Sequence, residues 1–168
     1  MRETKKIWKI FLVWNFDKEE AWLNEMAMNG WTLIDVGFCN YTFVRTEPGE
    51  YTIRMEMRPH DEAYNSLLEE AGVESAGHIL QWHYYRKKTE LGAFELFSDI
   101  DSRIAHLDRI GKMLFWIGMA NLAIGIGNTL NGVSFAWINL VCATLLMYAL
   151  GRIHGRKDAL EHDRILHE

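Results

Sequence analysis

Few residues in this chain are placed to do chemistry. The strand-like run YTIRMEMR (51–58) puts Thr52, Arg54, Glu56 and Arg58 on one face and Tyr51, Ile53, Met55 and Met57 on the other. Two guanidiniums flanking a carboxylate can hold a small anion or a peptide carboxylate through charge-assisted hydrogen bonds if that face lines a groove; as a solvated face it needs no ligand. Arg54, Glu56 and Arg58 are therefore the candidate ligand or partner groove. His60-Asp61-Glu62 follows at a helix start, where acidic side chains complement the dipole. His78 and His83 flank a turn with no nucleophile beside them. His154, His162 and His167 do not share a helical face, and no cysteine or carboxylate cluster completes a shell, so neither a metal nor a cofactor is expected. There is no GxSxG, HExxH, paired CxxC or phosphate-cradling glycine loop, and a non-enzymatic role is the expectation.

Bulk properties narrow the partners. The 168 residues carry a formal net charge of −5, with the acidic excess concentrated in the first half. Such a surface cannot displace counterions from a phosphate backbone, so nucleic acid is not expected as a partner. Cys39 falls in a turn and Cys142 in an apolar run, so no disulfide is expected, as suits a reducing compartment. The N-terminal KKIWKIFLVWNF is interrupted by Lys9, is followed at once by DKEE and lacks a small-residue cleavage site. Trp8, Ile10, Leu12 and Trp14 recur at every second position, which predicts a retained strand.

The elements that position these residues occur twice. Residues 5–46 read as strand, helix, strand, strand: the helix starts near Asp17 and ends at Gly30, and WTLIDVGF (31–38) and YTFVR (41–45) follow. Ala21, Trp22, Met26 and Asn29 mark the helix face and its edge. Residues 50–88 repeat the order, with a helix from about Asp61 to Gly72, then VESAGHIL and WHYYRKK. Gly30 matches Gly72, and Glu20-Ala21-Trp22 matches Glu62-Ala63-Tyr64, at one spacing; Tyr41, Phe43 and Arg45 match Trp82, Tyr84 and Arg86 after a one-residue shift. The predicted fold is α+β: tandem βαββ repeats over residues 1–92, forming an antiparallel sheet with both helices on one face.

A different architecture follows. Between Lys112 and Arg152 there is no Asp, Glu, Lys, Arg or His, and Met113–Leu130 and Val133–Leu150 flank Asn131-Gly132. At about 1.5 Å per residue each run spans about 27 Å, close to the thickness of a bilayer's hydrocarbon core. This is the pattern of a transmembrane hairpin (113–151). Arg103, Arg109 and Lys112 before it, and Arg152, Arg156 and Lys157 after it, place both termini and the βαββ domain in the cytoplasm, against an uncharged connecting loop. Gly118, Asn121, Gly125 and Asn128 share one helix face; Ala136, Asn139 and Ala143 share one face of the other. The small residues allow close approach, and Asn121 and Asn139 fall at equal depth, so they are expected to pair across the seam; a partner helix or transported ligand is the alternative.

Residues 93–112 read as an amphipathic linker helix, capped by Ser98 with Asp101, bearing the apolar stripe Ile100, Ile104, Leu107 and Leu114 and the pairs Asp99/Arg103 and Asp108/Lys112. Residues 152–168 read as a charged cytoplasmic tail.

The segment WNFDKEEAWLNEMAMNGWTLIDVGFCNYTF, then YTIRMEMR, AGVESAGHILQWHYYRK and FELFSD, resembles a bacterial membrane-protein family known as domain of unknown function 2812. EExWLxxMAxxGW, GFxxYTF and W-x-Y-x-R carry the likeness, over about residues 5–105. The resemblance implies no catalytic residues. It implies companionship with PadR-like transcriptional regulators, and so a membrane-anchored adaptor whose partners are membrane lipid, a cytoplasmic protein and possible further copies of itself. The tandem order is also similar to GyrI-like effector-binding domains, which bind small hydrophobic cations; Arg54 and Arg58 argue against such a ligand in their groove. A small-molecule or lipid sensor, using the groove or the hairpin, is the alternative function.

Overall fold

The computed structural model describes residues 3–167, with side chains through residue 165. The order is β1 (Thr4–Trp8), a 3-10 turn (Val13–Asn15), α1 (Phe16–Met28), β2 (Trp31–Gly37), β3 (Asn40–Arg45), β4 (Tyr51–Met57), α2 (Glu62–Glu70), β5 (Val73–Ile79), β6 (Trp82–Lys88), α3 (Ile100–Leu130) and α4 (Ala136–His167). The chain divides between Ser98 and Asp99 into two units.

The first unit is α+β, with strand, helix, strand, strand occurring twice as expected, but its arrangement differs from one sheet with both helices on one face. Two three-stranded antiparallel sheets form, ordered β1-β3-β2 and β4-β6-β5. Tyr84 joins Leu23, Ala27, Leu33, Phe43, Ile53 and Met55 in the core against α1, whereas Tyr85 joins Val73 and Phe94 beside Tyr64 and Leu68 of α2. Consecutive strand residues point to opposite faces, so α1 and α2 cover opposite sides of β6.

The repeat extends to irregularities. Both β2 and β5 carry a register shift, between Leu33 and Asp35 and between Ser75 and Gly77, at equivalent positions of the two repeats. The bulges bring the sheets together: Arg86 Nη1 donates to the Leu33 carbonyl at 3.0 Å, and a Cβ on Gly77 would sit 3.1 Å from the Val36 nitrogen. Gly77, at φ +120°, is the residue that permits this approach.

Helix α1 does more than cover a sheet. Asn24 Nδ2 donates to the Ile53 carbonyl at 2.8 Å, Asn24 Oδ1 accepts from the Ile53 amide at 2.9 Å, and Glu20 Oε2 accepts from the Met55 amide at 3.0 Å. Side chains thus satisfy the free edge of β4 where a further strand would otherwise lie. The buried stripe of α1 is Glu19, Leu23 and Ala27; of the residues expected to mark its face and edge, Trp22 and Met26 pack alongside partly buried, and Ala21 and Asn29 are exposed. The helix begins one residue before Asp17, which sits in the first turn with Glu19 and complements the dipole there. Gly30 and Gly72 close the two helices at φ +78° and +76°, as the sequence predicts.

Strand β1 is shorter than its alternation suggests. It stops at Trp8, and Trp8, Ile10 and Leu12 are exposed, while Ile7 and Phe11 turn toward the core.

The second unit is a helical hairpin. Residues 93–98 are not helical and belong to the first unit, where Phe94 is buried with Val73 and Tyr85. Asp99, not Ser98, caps α3, and its carboxylate accepts from the Ser102 amide at 2.7 Å in a capping box. Both helices run on without a break beyond their charge-free stretches. The expected tail is the continuation of α4: Ile153 is fully buried, as is Ile110 of α3, and Lys157–Asp108 and Arg164–Asp101, each 2.8 Å, join the helices.

Along the charge-free stretches the structure pairs the residues the sequence singled out. Asn139 Nδ2 donates to Asn121 Oδ1 at 3.3 Å. Gly118, Gly125, Ala136 and Ala143 are buried, and a Cβ on Gly125 would fall 2.7 Å from Leu140 Cδ2 and 3.2 Å from Asn139 Cβ. A double-mutant cycle of Asn121→Leu and Asn139→Leu should give a coupling energy of about 0.6 kcal/mol, the average for interhelical bonds in lipid; strict additivity would show the amides to be independent. Only 28% and 22% of the most apolar windows of α3 and α4 are buried. Phe115, Trp116, Ile124, Trp137, Val141 and Leu145 face outward, so each helix is long and apolar enough to cross a membrane and exposes an apolar surface that suits lipid.

His106 is buried in α3 outside the charge-free stretch, and burial, with Arg109 nearby, lowers its pKa to about 4 from 6.5. The folded state holds it neutral while the unfolded chain protonates below pH 6.5. Stability is therefore present above that pH and lost as pH falls toward 4, by about 2 kcal/mol at pH 5. Unfolding of the full chain in micelles at pH 7.5 and 5 should show that loss, and His106→Leu should remove it.

Candidate functional site

The sequence nominated Arg54, Glu56 and Arg58. The structure places all three on the face of β4 opposite the α1 core and engages their charges internally. Arg54 reaches Glu20 at 3.5 Å and Glu95 at 2.8 Å. Arg58 reaches Glu56 at 3.5 Å and Asp61 at 3.2 Å, and lies 3.4 Å above the Tyr64 ring. Glu56 is buried. With each guanidinium matched by carboxylates, this face carries no surplus positive charge for an anion. Beside it His78, His83 and Glu56 form one cross-strand row, and His83 is stacked between His60 and His78 with ring centroids 6.2 and 5.7 Å away. The described residues contain no group of three potential metal ligands.

A different site emerges where the ends of β2 and β3, the turn of β5–β6 and the start of α1 meet. A pocket of about 200 Å³ is lined by Phe11, Phe16, Val36, Tyr41, Trp82 and Tyr84, with Phe38, Leu80 and Lys9 bordering it. Glu19 lies in its wall, 7% exposed. It is there because α1 has a carboxylate on its apolar stripe, one turn before Leu23 and two before Ala27. Tyr41 Oη and Tyr84 Oη both donate to Glu19 Oε1, at 2.8 and 2.5 Å. That oxygen is where α1, the first sheet (through Tyr41) and the second sheet (through Tyr84) are joined.

The electrostatics are those of a carboxyl removed from water. Desolvation raises the Glu19 pKa, and the two tyrosine hydrogen bonds oppose it. Burial and the adjoining carboxylate push both tyrosines well above the ordinary phenol value. Both hydroxyls therefore stay protonated at neutral pH and donate to Glu19, which fixes the geometry of the trio. Both hydroxyls bind Oε1, and among the described residues none donates a hydrogen bond to Oε2. Aromatic walls and a single buried acceptor suit a compact, largely apolar molecule carrying a hydrogen-bond donor.

Sequence reasoning missed this site because its three polar members lie 22 and 65 residues apart. The available signal was Glu19 itself, a carboxylate in register with Leu23 and Ala27.

A family model described as "Protein of unknown function (DUF2812)" matches residues 15–119, from the turn before α1 into α3. No curated protein and no solved structure matches, so the likeness to GyrI-like domains has no structural match behind it.

Proposed function

The chain belongs to the DUF2812 family, whose description assigns no activity, and from that premise we propose that it is a membrane-anchored, non-enzymatic sensor that binds a small apolar ligand in the Glu19 pocket. The observation that carries this reading is a carboxyl buried in an aromatic pocket with one oxygen to which none of the described residues donates, an arrangement that costs folding energy and suits a ligand. A ligand on Glu19 acts on the helix that also clamps the edge of β4 through Glu20 and Asn24, and so on both sheets. The charge asymmetry around the hairpin supports a two-pass anchor with both termini in the cytoplasm. The partner that reads the ligand state is proposed to be a cytoplasmic protein, with a PadR-like regulator as the first to test.

Melting of the full-length protein in nanodiscs, screened against small amphiphilic molecules, tests this. A binder present at a hundred times its Kd should stabilise by about 2.7 kcal/mol. The shift should disappear in Glu19→Gln or Tyr84→Phe if the pocket is the site, and a shift unchanged in both variants would place the ligand elsewhere.

A further inference from the structure

Phe38 and Leu80 occupy equivalent positions in the two repeats, at the tips of the β2–β3 and β5–β6 hairpins, and are 79% and 85% exposed. Leu80 adopts φ +54°, a conformation that disfavours a leucine and favours glycine or asparagine. An apolar side chain is thus displayed in water at a strained position, with no gain to the core. Both tips border the Glu19 pocket, and so does Lys9, whose amide donates to the Cys39 carbonyl at 3.0 Å. The segment running through Lys9 adds exposed Trp8, Ile10 and Leu12. Between Glu3 and Asp17 it carries Lys5, Lys6 and Lys9 and no carboxylate.

We propose that this face docks on the surface of an anionic lipid bilayer, with Trp8, Ile10, Phe38 and Leu80 entering the headgroup boundary and Lys5, Lys6 and Lys9 engaging the lipid charge. The proposal rests on the reading that α3 and α4 span a membrane, which makes a bilayer part of the chain's surroundings. Among the described residues none of the three lysines forms an ion pair; each lies over an aromatic ring, Lys6 over Trp8 at 5.6 Å and Lys9 over Trp22 at 4.2 Å. Their positive charge is therefore available to an outside anion. Amphipathic rings beside lysines are the composition of an interfacial surface. Lysines on the edge strand β1 also discourage another strand from adding there, which disfavours a second copy as the occupant. Docking would set the mouth of the Glu19 pocket against the headgroups, where an apolar ligand concentrates.

The test uses full-length protein with Cys39 and Cys142 replaced by serine, in nanodiscs of phosphatidylcholine with or without phosphatidylglycerol. Spin labels are placed through Leu80→Cys at the tip, Leu122→Cys in α3 and Ser66→Cys on α2, and their accessibility to oxygen and to a water-soluble nickel chelate is measured. The expected result is a lipid signature at position 80 in the phosphatidylglycerol discs, with position 66 aqueous. Substituting Lys5, Lys6 and Lys9 together by glutamine should return position 80 to water, since three such charges are worth on the order of a hundredfold in surface occupancy. An aqueous label at 80 beside a lipid-embedded label at 122 overturns the docking and leaves the anchor standing. Equal embedding of position 80 without phosphatidylglycerol overturns the charge-reading claim. An aqueous label at 122 removes the spanning reading and the docking with it.

Discussion

Asn24→Ala is expected to destabilise the first unit by about 1–3 kcal/mol, because it leaves the Ile53 amide without its acceptor and the Ile53 carbonyl with one donor in place of two. Ile53 is fully buried; its amide donates to Asn24 Oδ1, and its carbonyl accepts from Asn24 Nδ2 and, at 3.2 Å, from Arg54 Nη1. Asn24→Asp should also destabilise, since a carboxylate accepts from the Ile53 amide but sets negative charge against its carbonyl. Urea unfolding followed by tryptophan fluorescence checks both variants. A loss under about 0.5 kcal/mol for the alanine variant would mean that the β4 edge is held by something other than α1.

The second large effect is at Glu19. Glu19→Leu leaves the Tyr41 and Tyr84 hydroxyls, each almost wholly buried, without their shared acceptor, at a cost of about 2–4 kcal/mol. Glu19→Gln keeps an acceptor oxygen and removes a buried charge, so it should be neutral or stabilising at pH 7. The pH dependence separates them further. The folded-state pKa of Glu19 is raised above 4.5, so the stability linked to its protonation is fully present below pH 4.5 and lost as pH rises through the raised value. Wild type should show that loss, and Glu19→Gln should not. Equal destabilisation by leucine and glutamine would mean that the carboxylate charge, not the acceptor geometry, holds the tyrosines.

What could be read from the sequence followed the range of the interactions. The two βαββ halves, the glycine ends of both helices and the face alternation of β4 are local patterns, and each forms as expected. The pairing of Asn121 with Asn139 was legible because a hairpin of fixed rise sets depth by residue number alone. Where charge depends on distant partners, local pattern left two readings open. Arg54 and Arg58 could be read as a solvated face or an anion groove because Glu20 and Glu95, which pair with Arg54, come from α1 and from the segment after β6. The opposite placement of α1 and α2 depends on how two bulged strands meet, which no single strand's pattern encodes. Residues 152–167 looked like a tail because their charges outnumber Ile153, yet that isoleucine and Lys157 bind them to α3.

Ligand binding in the Glu19 pocket is the centre of the proposed function. Native mass spectrometry of full-length protein released gently from its own membranes tests this most directly, comparing wild type with Val13→Trp, which fills the pocket from its rim. A ligand site there gives a small-molecule adduct on wild type that is missing from the variant. No adduct on either protein, or the same adduct on both, would contradict it.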